Sequence, residues 1–269
     1  MRRILRNKNS GKGTTEKKIA LTIAGSDPTG GAGLQADLKV FKAFNVHGLS
    51  VVSAITAQNS VGVDSIYLVE RDFLEKQLRI LLSDIKPDAL KIGMLYSKGA
   101  VEIVADMLKE YSLSNLVIDP VTVSSSGTSL VANGTLDSLR ENLFPFSKVI
   151  TPNIYEASVL TGIRIENKKD MENAAKVLKD MGPEVIVITG GHLEEIAIDL
   201  YYDGEFHRIE GKKIKGEYHG TGCAFSAAVT ALLALGHVPL ESARRAKEFV
   251  NNAIKKAYYP GRGMGLLYL

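Results

Sequence analysis

The sequence predicts an α/β fold in which helices cover both faces of a mostly parallel sheet. Short apolar segments alternate with segments of helical periodicity from Ile19 to the end of the 269-residue chain. Strands that are apolar throughout are typical of parallel sheets buried on both faces. Ala197–Tyr202 and Glu205–Ile209 flank the turn pair Asp203-Gly204, which predicts an antiparallel hairpin at one edge of the sheet.

The elements follow one another without a linker or an internal repeat, so residues 18–269 are predicted to form a single domain. Each predicted strand is a short apolar run closed by Gly, Pro or a polar residue: Ile19–Ala24, Leu49–Thr56, Ala89–Ile92, Leu116–Ile118, Val149–Thr151 and Val185–Thr189. Each predicted helix repeats apolar residues every three or four positions: Leu34–Phe44, Glu70–Ile85, Ala100–Tyr111, Thr135–Leu143, Tyr155–Leu160, Met171–Met181, Cys223–Leu235 and Leu240–Tyr258.

Composition excludes several classes of protein. A hydrophobic content of 45% can fill a sizeable core, and a single cysteine excludes an internal disulfide framework. No apolar run approaches the roughly 18 residues of a membrane span, so we expect a cytoplasmic protein without a membrane partner. The one cysteine fits that reducing compartment.

Charge is unevenly distributed along the chain. Residues 1–18 contain seven basic residues and one acid, so their net charge is +6. Because the whole chain has a net charge of +3, the remaining 251 residues have a net charge of −3. A mildly acidic body is not typical of a nucleic-acid-binding protein. Residues 1–17 are interpreted as a basic, flexible N-terminal extension, and a transit peptide or a polyanion-binding arm remains the alternative.

The segment Gly220-Thr221-Gly222-Cys223 precedes a long apolar helix, and it is called the anion-binding turn below. Glycines at a helix start leave backbone N–H groups open to an anion, and the helix dipole adds positive potential. The pKa of a cysteine thiol is lowered at such a position, which makes Cys223 a candidate base or nucleophile. This combination suits phosphoryl transfer to a hydroxyl. A tight helix entry with a small buried cysteine is the alternative.

Polar residues follow several predicted strands, where α/β folds bind ligands. Asp119 ends a strand, and Asn153 and Glu156 lie three residues apart at a helix start. Carboxylate and amide oxygens there can hold hydrated Mg²⁺ near phosphates. A turn cap at Asp119 and a helix cap at Asn153 remain the alternatives.

The segment Gly25–Gly33, called the glycine-rich loop below, joins the first strand to the first helix. It lacks the Lys-Ser/Thr pair of a P-loop and the spacing of a dinucleotide fingerprint, so we expect a loop that closes over a small ligand. Gln58 carries a donor and an acceptor that match an aminopyrimidine, and Met94 offers a flat apolar surface. A strand-end cap at Gln58 and core packing at Met94 remain open.

The ordered set of motifs resembles the hydroxymethylpyrimidine/phosphomethylpyrimidine kinases. Thr22–Asp37 resembles the opening signature of that family. The remaining motifs follow in the family's order from there to the C-terminus: Thr56–Asn59, Lys91–Leu95, Thr151–Ala157, Gly190–His192 and His219–Cys223.

The resemblance implies a three-layer, ribokinase-like α/β/α fold. It implies that ATP phosphorylates 4-amino-5-hydroxymethyl-2-methylpyrimidine and then its monophosphate, in thiamine biosynthesis, in a protein that forms a homo-oligomer. The implied roles cover four groups of residues: a pyrimidine pocket of Gly25, Asp37, Gln58 and Met94; an ATP site of Asn153, Thr189, Gly191 and Thr221; Mg²⁺ ligands Asp119 and Glu156; and a catalytic anion-binding turn, Gly220 to Cys223, with Cys223 as base. Some members carry a fused thiamine-phosphate synthase module, for which we expect no room here.

Two departures from the family pattern concern positive charge. Ser125 and Thr189 occupy positions where family members often have lysine. Lys91 or Arg262 is an alternative to Cys223 as the base. Two other functions stay open: a pyridoxal or pyridoxine kinase on the same scaffold, and a non-catalytic pyrimidine-binding sensor.

Overall fold

The structure of the protein is a computed structural model that describes residues 17–124, 127–190, 197–211 and 214–269. The predicted N-terminal extension lies outside these ranges except for Lys17, and Ser125 and Gly191 also lie outside them. All other residues assigned a role above are described.

Eleven strands and eight α-helices make up the described part of the chain. The strands are β1 Ile19–Ser26, β2 His47–Gln58, β3 Val63–Leu68, β4 Ala89–Ile92, β5 Leu116–Ile118, β6 Ser147–Ile150, β7 Val185–Ile188, β8 Ala197–Tyr202, β9 Phe206–Gly211, β10 Tyr218–His219 and β11 Gly265–Leu266. The helices are α1 Gly33–Ala43, α2 Arg71–Leu82, α3 Lys98–Glu110, α4 Thr135–Asn142, α5 Ile154–Thr161, α6 Lys168–Asp180, α7 Thr221–Ala234 and α8 Pro239–Lys255.

The main sheet has the strand order β3-β2-β1-β4-β5-β6-β7-β8-β9 among the described residues. The six strands from β2 to β7 in this order are parallel. β8 and β9 form the predicted antiparallel hairpin at one edge. β3 runs antiparallel to β2 and forms the other edge.

Side chains of each parallel strand point alternately to two separate cores. One core, against α2 to α6, takes Leu21 and Ile23 of β1. The other, against α1, α7 and α8, takes Ala20 of β1 and Val117 of β5. The sheet therefore lies between two helical layers, which confirms the predicted three-layer α/β/α class.

Two features were missed in the sequence. β3 is an exposed edge strand in which no residue is fully buried, so it lacks the apolar run that marks the central strands. β10 and β11 are two residues each and pair Tyr218 with Gly265 and His219 with Leu266. Such a distant contact leaves no periodic pattern to read.

No helix in the described ranges is both long enough and apolar enough to cross a membrane.

Candidate active site

A cavity of about 210 Å³ opens at the carboxyl ends of the parallel strands. Most of the predicted site residues line it: Gly25, Gln58, Met94, Asp119, Asn153, Glu156, Thr189, Gly220, Thr221, Gly222 and Cys223. The fold therefore brings together residues that lie up to 198 positions apart. Of the two alternative bases, Lys91 lines the cavity and Arg262 is exposed.

The anion-binding turn forms the start of α7. Gly220 has a φ of 79°, and no side chain caps this helix start. A Cβ at Gly220 would lie 1.8 Å from the Gly31 carbonyl oxygen, whereas a Cβ at Gly222 would meet no described atom within 4 Å. Gly220 is thus needed to pack against the glycine-rich loop. Gly222 keeps the cavity open where the first N–H groups of the helix lack partners.

The structure corrects the expectation that the Cys223 thiol has a lowered pKa. Although the residue keeps some exposure, burial raises the pKa of the Cys223 thiol to about 12, and the negative charges of Asp119 and Asp37 add to the rise. Lys91 acts in the opposite direction but does not offset the burial. Cys223 therefore carries its proton at neutral pH in the free protein.

Asp37 is placed differently from the expectation. It has no exposed surface and lies beneath the cavity, where its carboxylate oxygens are 2.8 and 2.9 Å from Lys91 Nζ. Thr22 Oγ1 donates to the same carboxylate at 2.6 Å. Because α1 carries the acid inward to β1 and β4, Asp37 supports Lys91 and does not line the pocket wall.

Lys91 is fully buried and presents a positive charge to the cavity. Burial by itself lowers the pKa of Lys91, but Asp37, Cys223 and Asp119 together outweigh this effect and raise the pKa above its usual range. Lys91 Nζ also lies 4.0 Å from Asp119 Oδ2. A cation is thus present in the site even though Ser125 and Thr189 lack one.

Asp119 and Glu156 place two carboxylates in one part of the cavity. Burial and then the charge of Asp119 raise the pKa of Glu156 to about 8. Asp119 Oδ2 accepts a hydrogen bond from Ser226 Oγ at 3.0 Å. Glu156 also completes a capping box, because its Oε2 accepts from Asn153 N while Asn153 Oδ1 accepts from Glu156 N, both at 2.9 Å. The cap and the site interpretations of this pair are therefore compatible.

These two carboxylates fit Mg²⁺ but do not form a complete protein cage for it. Within the described ranges, no group of three or more His, Cys, Asp or Glu residues is arranged to hold a metal ion. Mg²⁺ typically binds through one or two carboxylates together with waters and substrate phosphates. The mutual repulsion that raises the pKa of Glu156 is also what a divalent cation would relieve.

The end of the cavity near Gly25 and Met94 has one apolar wall. Met94 packs with Ala54 and Leu130 in a small apolar cluster. A Cβ at Gly25 would lie 2.5 Å from the Met94 methyl group, so a larger residue at position 25 would displace that methyl group from the wall. The result is a slot that suits a planar ring.

Gln58 lies at the polar side of this slot with two residues that had no assigned role, Asp27 and His219. His219 Nε2 is 2.9 Å from Asp27 Oδ2 and 3.4 Å from Gln58 Nε2. Burial alone would raise the pKa of Asp27, but hydrogen bonds from His219 and Thr29 lower it to about 2. The run Asp27-Pro28-Thr29-Gly30 is a sequence signal for an Asx-type turn, which could have identified Asp27 as the organiser of its loop.

At the opposite end, Thr189 pairs with Asn153 in a single parallel bridge. The next residue, Gly190, donates its N–H to Asp199 Oδ1 at 3.0 Å. Lys247 Nζ of α8 lies 2.8 Å from Asp199 Oδ2. This buried ion pair fixes the chain that leads into the predicted ATP-binding segment.

Comparison with known proteins gives consistent results. A family model described as "Phosphomethylpyrimidine kinase" matches residues 27–267. The chain is 43% identical over 251 residues to the chloroplastic thiamine biosynthetic bifunctional enzyme of Arabidopsis thaliana, covering 91% of this chain and 48% of the relative. A bifunctional thiamine biosynthesis protein of Geobacter sulfurreducens is 42% identical, at 91% and 51% coverage. The chain thus spans about half the length of these two relatives.

Other relatives match over almost their whole length. The hydroxymethylpyrimidine/phosphomethylpyrimidine kinase of Bacillus subtilis is 40% identical over 250 residues, covering 91% of this chain and 92% of the relative.

Solved structures share the fold. An ADP complex of Bacillus subtilis pyridoxal kinase has a TM-score of 0.86 at 40% identity, covering 93% of this chain and 96% of that one. A phosphomethylpyrimidine kinase from Clostridium difficile has a TM-score of 0.79 at 39% identity, covering 88% and 100%. The pyridoxal kinase of Staphylococcus aureus with AMP-PCP and pyridoxal has a TM-score of 0.86 at 34% identity, covering 93% of both chains. By the match of the family model to most of its length, this chain belongs to the phosphomethylpyrimidine kinase family.

Proposed function

We propose that the protein is an ATP-dependent kinase that phosphorylates 4-amino-5-hydroxymethyl-2-methylpyrimidine and then its monophosphate, in thiamine biosynthesis. One observation carries the proposal: a single cavity joins a carboxamide beside an apolar slot, at Gln58 and Met94, to an uncapped helix start at Gly220–Cys223. The first end matches an aminopyrimidine edge. The second end matches the phosphoryl group that the ring's hydroxymethyl would receive.

The roles of the chain's own residues follow from this arrangement. Asn153, Thr189 and Thr221 contact the ATP phosphates, and we keep Gly191 with them as a prediction outside the described residues. Lys91 and the N–H groups of the anion-binding turn stabilise negative charge as the bond from the γ-phosphorus to the hydroxymethyl oxygen forms and the bond to ADP breaks. Mg²⁺ held by Asp119 and Glu156 would neutralise phosphate charge.

Cys223 is proposed to receive the hydroxyl proton only after ligands change its surroundings, because its thiol is protonated in the free protein. Phosphoryl transfer depends mostly on positioning and electrostatics, with little need for a strong base. We therefore expect Cys223→Ala to lower kcat by roughly tenfold, which is below the roughly 10²–10⁴-fold that general-base catalysis typically contributes, while ATP still binds. Steady-state kinetics with separate nucleotide titration measure this. A wild-type kcat in Cys223→Ala from pH 6 to 9 would show that the cysteine only packs.

A second candidate function is pyridoxal kinase activity, which is favoured by the similarity to solved pyridoxal kinases. The deciding experiment incubates the purified protein with Mg-ATP and, separately, the hydroxymethylpyrimidine, its monophosphate and pyridoxal, and follows product masses. We expect turnover of both pyrimidines, with Gln58→Leu raising the KM for the pyrimidine but not for ATP. Faster turnover of pyridoxal than of either pyrimidine would contradict the proposal. Ligand binding without any product would favour a sensor.

Two further parts of the proposal concern the setting of the protein. We propose that it acts in the cytoplasm, which its single cysteine supports.

We also propose a homo-oligomer. Ile55 and Tyr67 are cross-strand neighbours on the β2–β3 edge and are 50% and 67% exposed, which is typical of an apolar surface that a second copy covers. Light scattering of the purified protein measures the oligomeric state.

A further inference from the structure

Gln58 and His219 share hydrogen-bond partners in a way that restricts the orientation of both. His219 Nε2 lies between Asp27 Oδ2, at 2.9 Å, and Gln58 Nε2, at 3.4 Å. At the other end of the carboxamide, Thr56 Oγ1 lies 2.9 Å from Gln58 Oε1 and 2.8 Å from the Ser26 carbonyl oxygen. The question is which positions of this network carry the protons.

The contact with Asp27 determines which nitrogen of the His219 ring carries a hydrogen. Oδ2 of Asp27 accepts from Thr29 Oγ1 at 2.9 Å and from Ala32 N at 2.8 Å. Although burial raises the pKa of Asp27, the hydrogen bonds from His219 and Thr29 lower it to about 2. An ionised carboxylate is only an acceptor. His219 Nε2, at 2.9 Å from the same oxygen, must therefore carry a hydrogen and donate it.

With this proton in place, an NH₂ group of Gln58 facing His219 sets two donors against each other. A second conflict lies at Thr56, whose single hydroxyl hydrogen cannot serve both the Ser26 oxygen and Gln58 Oε1. Rotating the carboxamide by 180° removes the conflict at Thr56 without moving other atoms, since its two ends have nearly the same shape. It also places an acceptor, instead of a second donor, 3.4 Å from His219 Nε2, whose hydrogen remains directed mainly at Asp27 Oδ2. Oε1 then faces His219, and Nε2 donates to Thr56 Oγ1.

We propose that His219, held by Asp27, is a positioning residue that, together with Thr56, determines ring specificity by fixing the direction of the Gln58 carboxamide. The amide oxygen on the His219 side accepts from the amino group of the pyrimidine. The amide NH₂ on the Thr56 side donates to the adjacent ring nitrogen. This inference rests on the proposed function, and it concerns which edge of the ring the site accepts.

The chemistry makes a sharp distinction between two closely similar rings. The 4-amino ring presents a donor beside an acceptor, in the order that the fixed carboxamide requires. The 4-oxo analogue, 5-hydroxymethyl-2-methylpyrimidin-4(3H)-one, presents a carbonyl beside a ring N–H, which is the reverse order. It would set acceptor against acceptor at Oε1 and donor against donor at Nε2 of Gln58.

The experiment compares kcat/KM for the two rings in wild type, His219→Leu and His219→Gln. The wild type should prefer the amino ring by roughly 100-fold or more, because sites built to pair a polar group reject analogues strongly. His219→Leu removes one of the two groups that orient the carboxamide and leaves only Thr56, so the preference should fall at least roughly tenfold. His219→Gln supplies an N–H at a similar reach and should restore the preference to within about threefold of wild type.

The measured quantity is the ratio of kcat/KM for the two rings, so a substitution that lowers activity on both rings equally leaves it unchanged. An unchanged ratio in a folded, active His219→Leu protein overturns the proposal. If the wild type phosphorylates neither ring, the proposed function has failed. Nitrogen-15 NMR of the His219 ring then tests the network by itself. A protonated Nε2 supports the fixed orientation, and an unprotonated Nε2 overturns it whatever the substrate.

Discussion

Gly220 and Gly222 lie in the same turn, but glycine is required at position 220 for packing and at position 222 for access to the backbone N–H groups. Gly220 has a positive φ and a backbone oxygen 1.8 Å from where its Cβ would lie, whereas the Cβ position of Gly222 is open. We expect Gly220→Ala to lower the free energy of unfolding by about 1–3 kcal/mol, because it is forced into a strained conformation. Gly222→Ala should leave stability nearly unchanged but lower kcat/KM at least roughly tenfold, by obstructing the anion-binding donors.

Thermal denaturation and steady-state kinetics on the two variants separate these effects. The two substitutions are chemically identical and lie two residues apart, so each serves as the control of the other. A fully active Gly222→Ala protein would mean that phosphate does not bind at this turn.

Glu156 should make stability depend on pH in an unusual direction. Its folded pKa is about 8, against an ordinary value of 4.5, so between these values the folded state keeps a proton that the unfolded state has lost. The free energy of unfolding therefore falls as pH rises through this window. Glu156→Gln removes the effect and can keep the capping box. The Tm of the variant relative to wild type should rise from pH 5 to pH 8.5 in metal-free buffer.

Glu172→Gln is the matched control. The side chain of Glu172 is only partly exposed, and its pKa is lowered by the hydrogen bond from Lys168, so its contribution to stability changes only in more acidic solution. A constant Tm difference between Glu156→Gln and wild type across the window would show that Glu156 is ionised throughout. Added Mg²⁺ should reduce the trend, because a bound cation favours the ionised carboxylate.

At the residue scale, the sequence predicted which side chains lie close together, but it did not predict their burial or their pKa values. Asp119, Asn153 and Gln58 could be predicted because each follows a strand whose carboxyl end faces the site. The burial of Asp37 and the raised pKa of Cys223 depend on helices packed from distant parts of the chain, and local sequence carries no signal for that.

Among the elements, β3 and the β10–β11 pair account for what the sequence analysis missed. The central strands are predictable because both faces are buried, whereas β3 is an edge strand without a buried apolar run. We call residues 258–267 the C-terminal strap. The strap pairs with β10 just before the anion-binding turn, and Gly263 N and Met264 N donate to Ser60 in the β2–β3 turn.

The strap gives a prediction at the element scale. A Cβ at Gly263 would lie 1.9 Å from the Ser60 carbonyl oxygen, so Gly263→Ala should push the strap away from the β2–β3 turn. We expect a lower Tm and a raised KM for the pyrimidine, because His219 pairs with Leu266 of the strap. Gly99→Ala is the control, since its Cβ would meet nothing closer than 3.7 Å. Wild-type KM in Gly263→Ala would show that the strap does not position the site.

For the whole molecule, the buried pair of Lys91 and Asp37 joins the sheet to a helical layer. Neither side chain is exposed. Lys91→Met leaves the carboxylate of Asp37 buried and unpaired, which should lower the free energy of unfolding by about 3–5 kcal/mol. The double variant Lys91→Met/Asp37→Asn removes that charge and should recover most of the stability. Its activity should stay low, because Lys91 also faces the cavity.

Urea unfolding and kinetics on the single and double variants measure these two quantities separately. Recovery of activity together with stability would show that Lys91 matters only for folding. No such pair could be predicted from the sequence, in which Asp37 and Lys91 are 54 positions apart. The parallel order of the central sheet, by contrast, follows from the simple alternation of apolar strands and helices.

The pairing of β10 with β11 also has a consequence for the time at which the protein becomes competent during synthesis. A ribosome adds about 5–20 residues per second, and chain segments begin to fold in the order of their appearance. The sheet strands and α1 are complete well before Gly265 and Leu266 are made, yet Tyr218 and His219 wait for these two residues to be paired. The wall of the cavity around Met94 and the start of α7 can therefore form before the strap is made. The pairing of β10 is added only when the strap is made, so we expect a nascent chain that stops short of residue 265 to lack this support of the site.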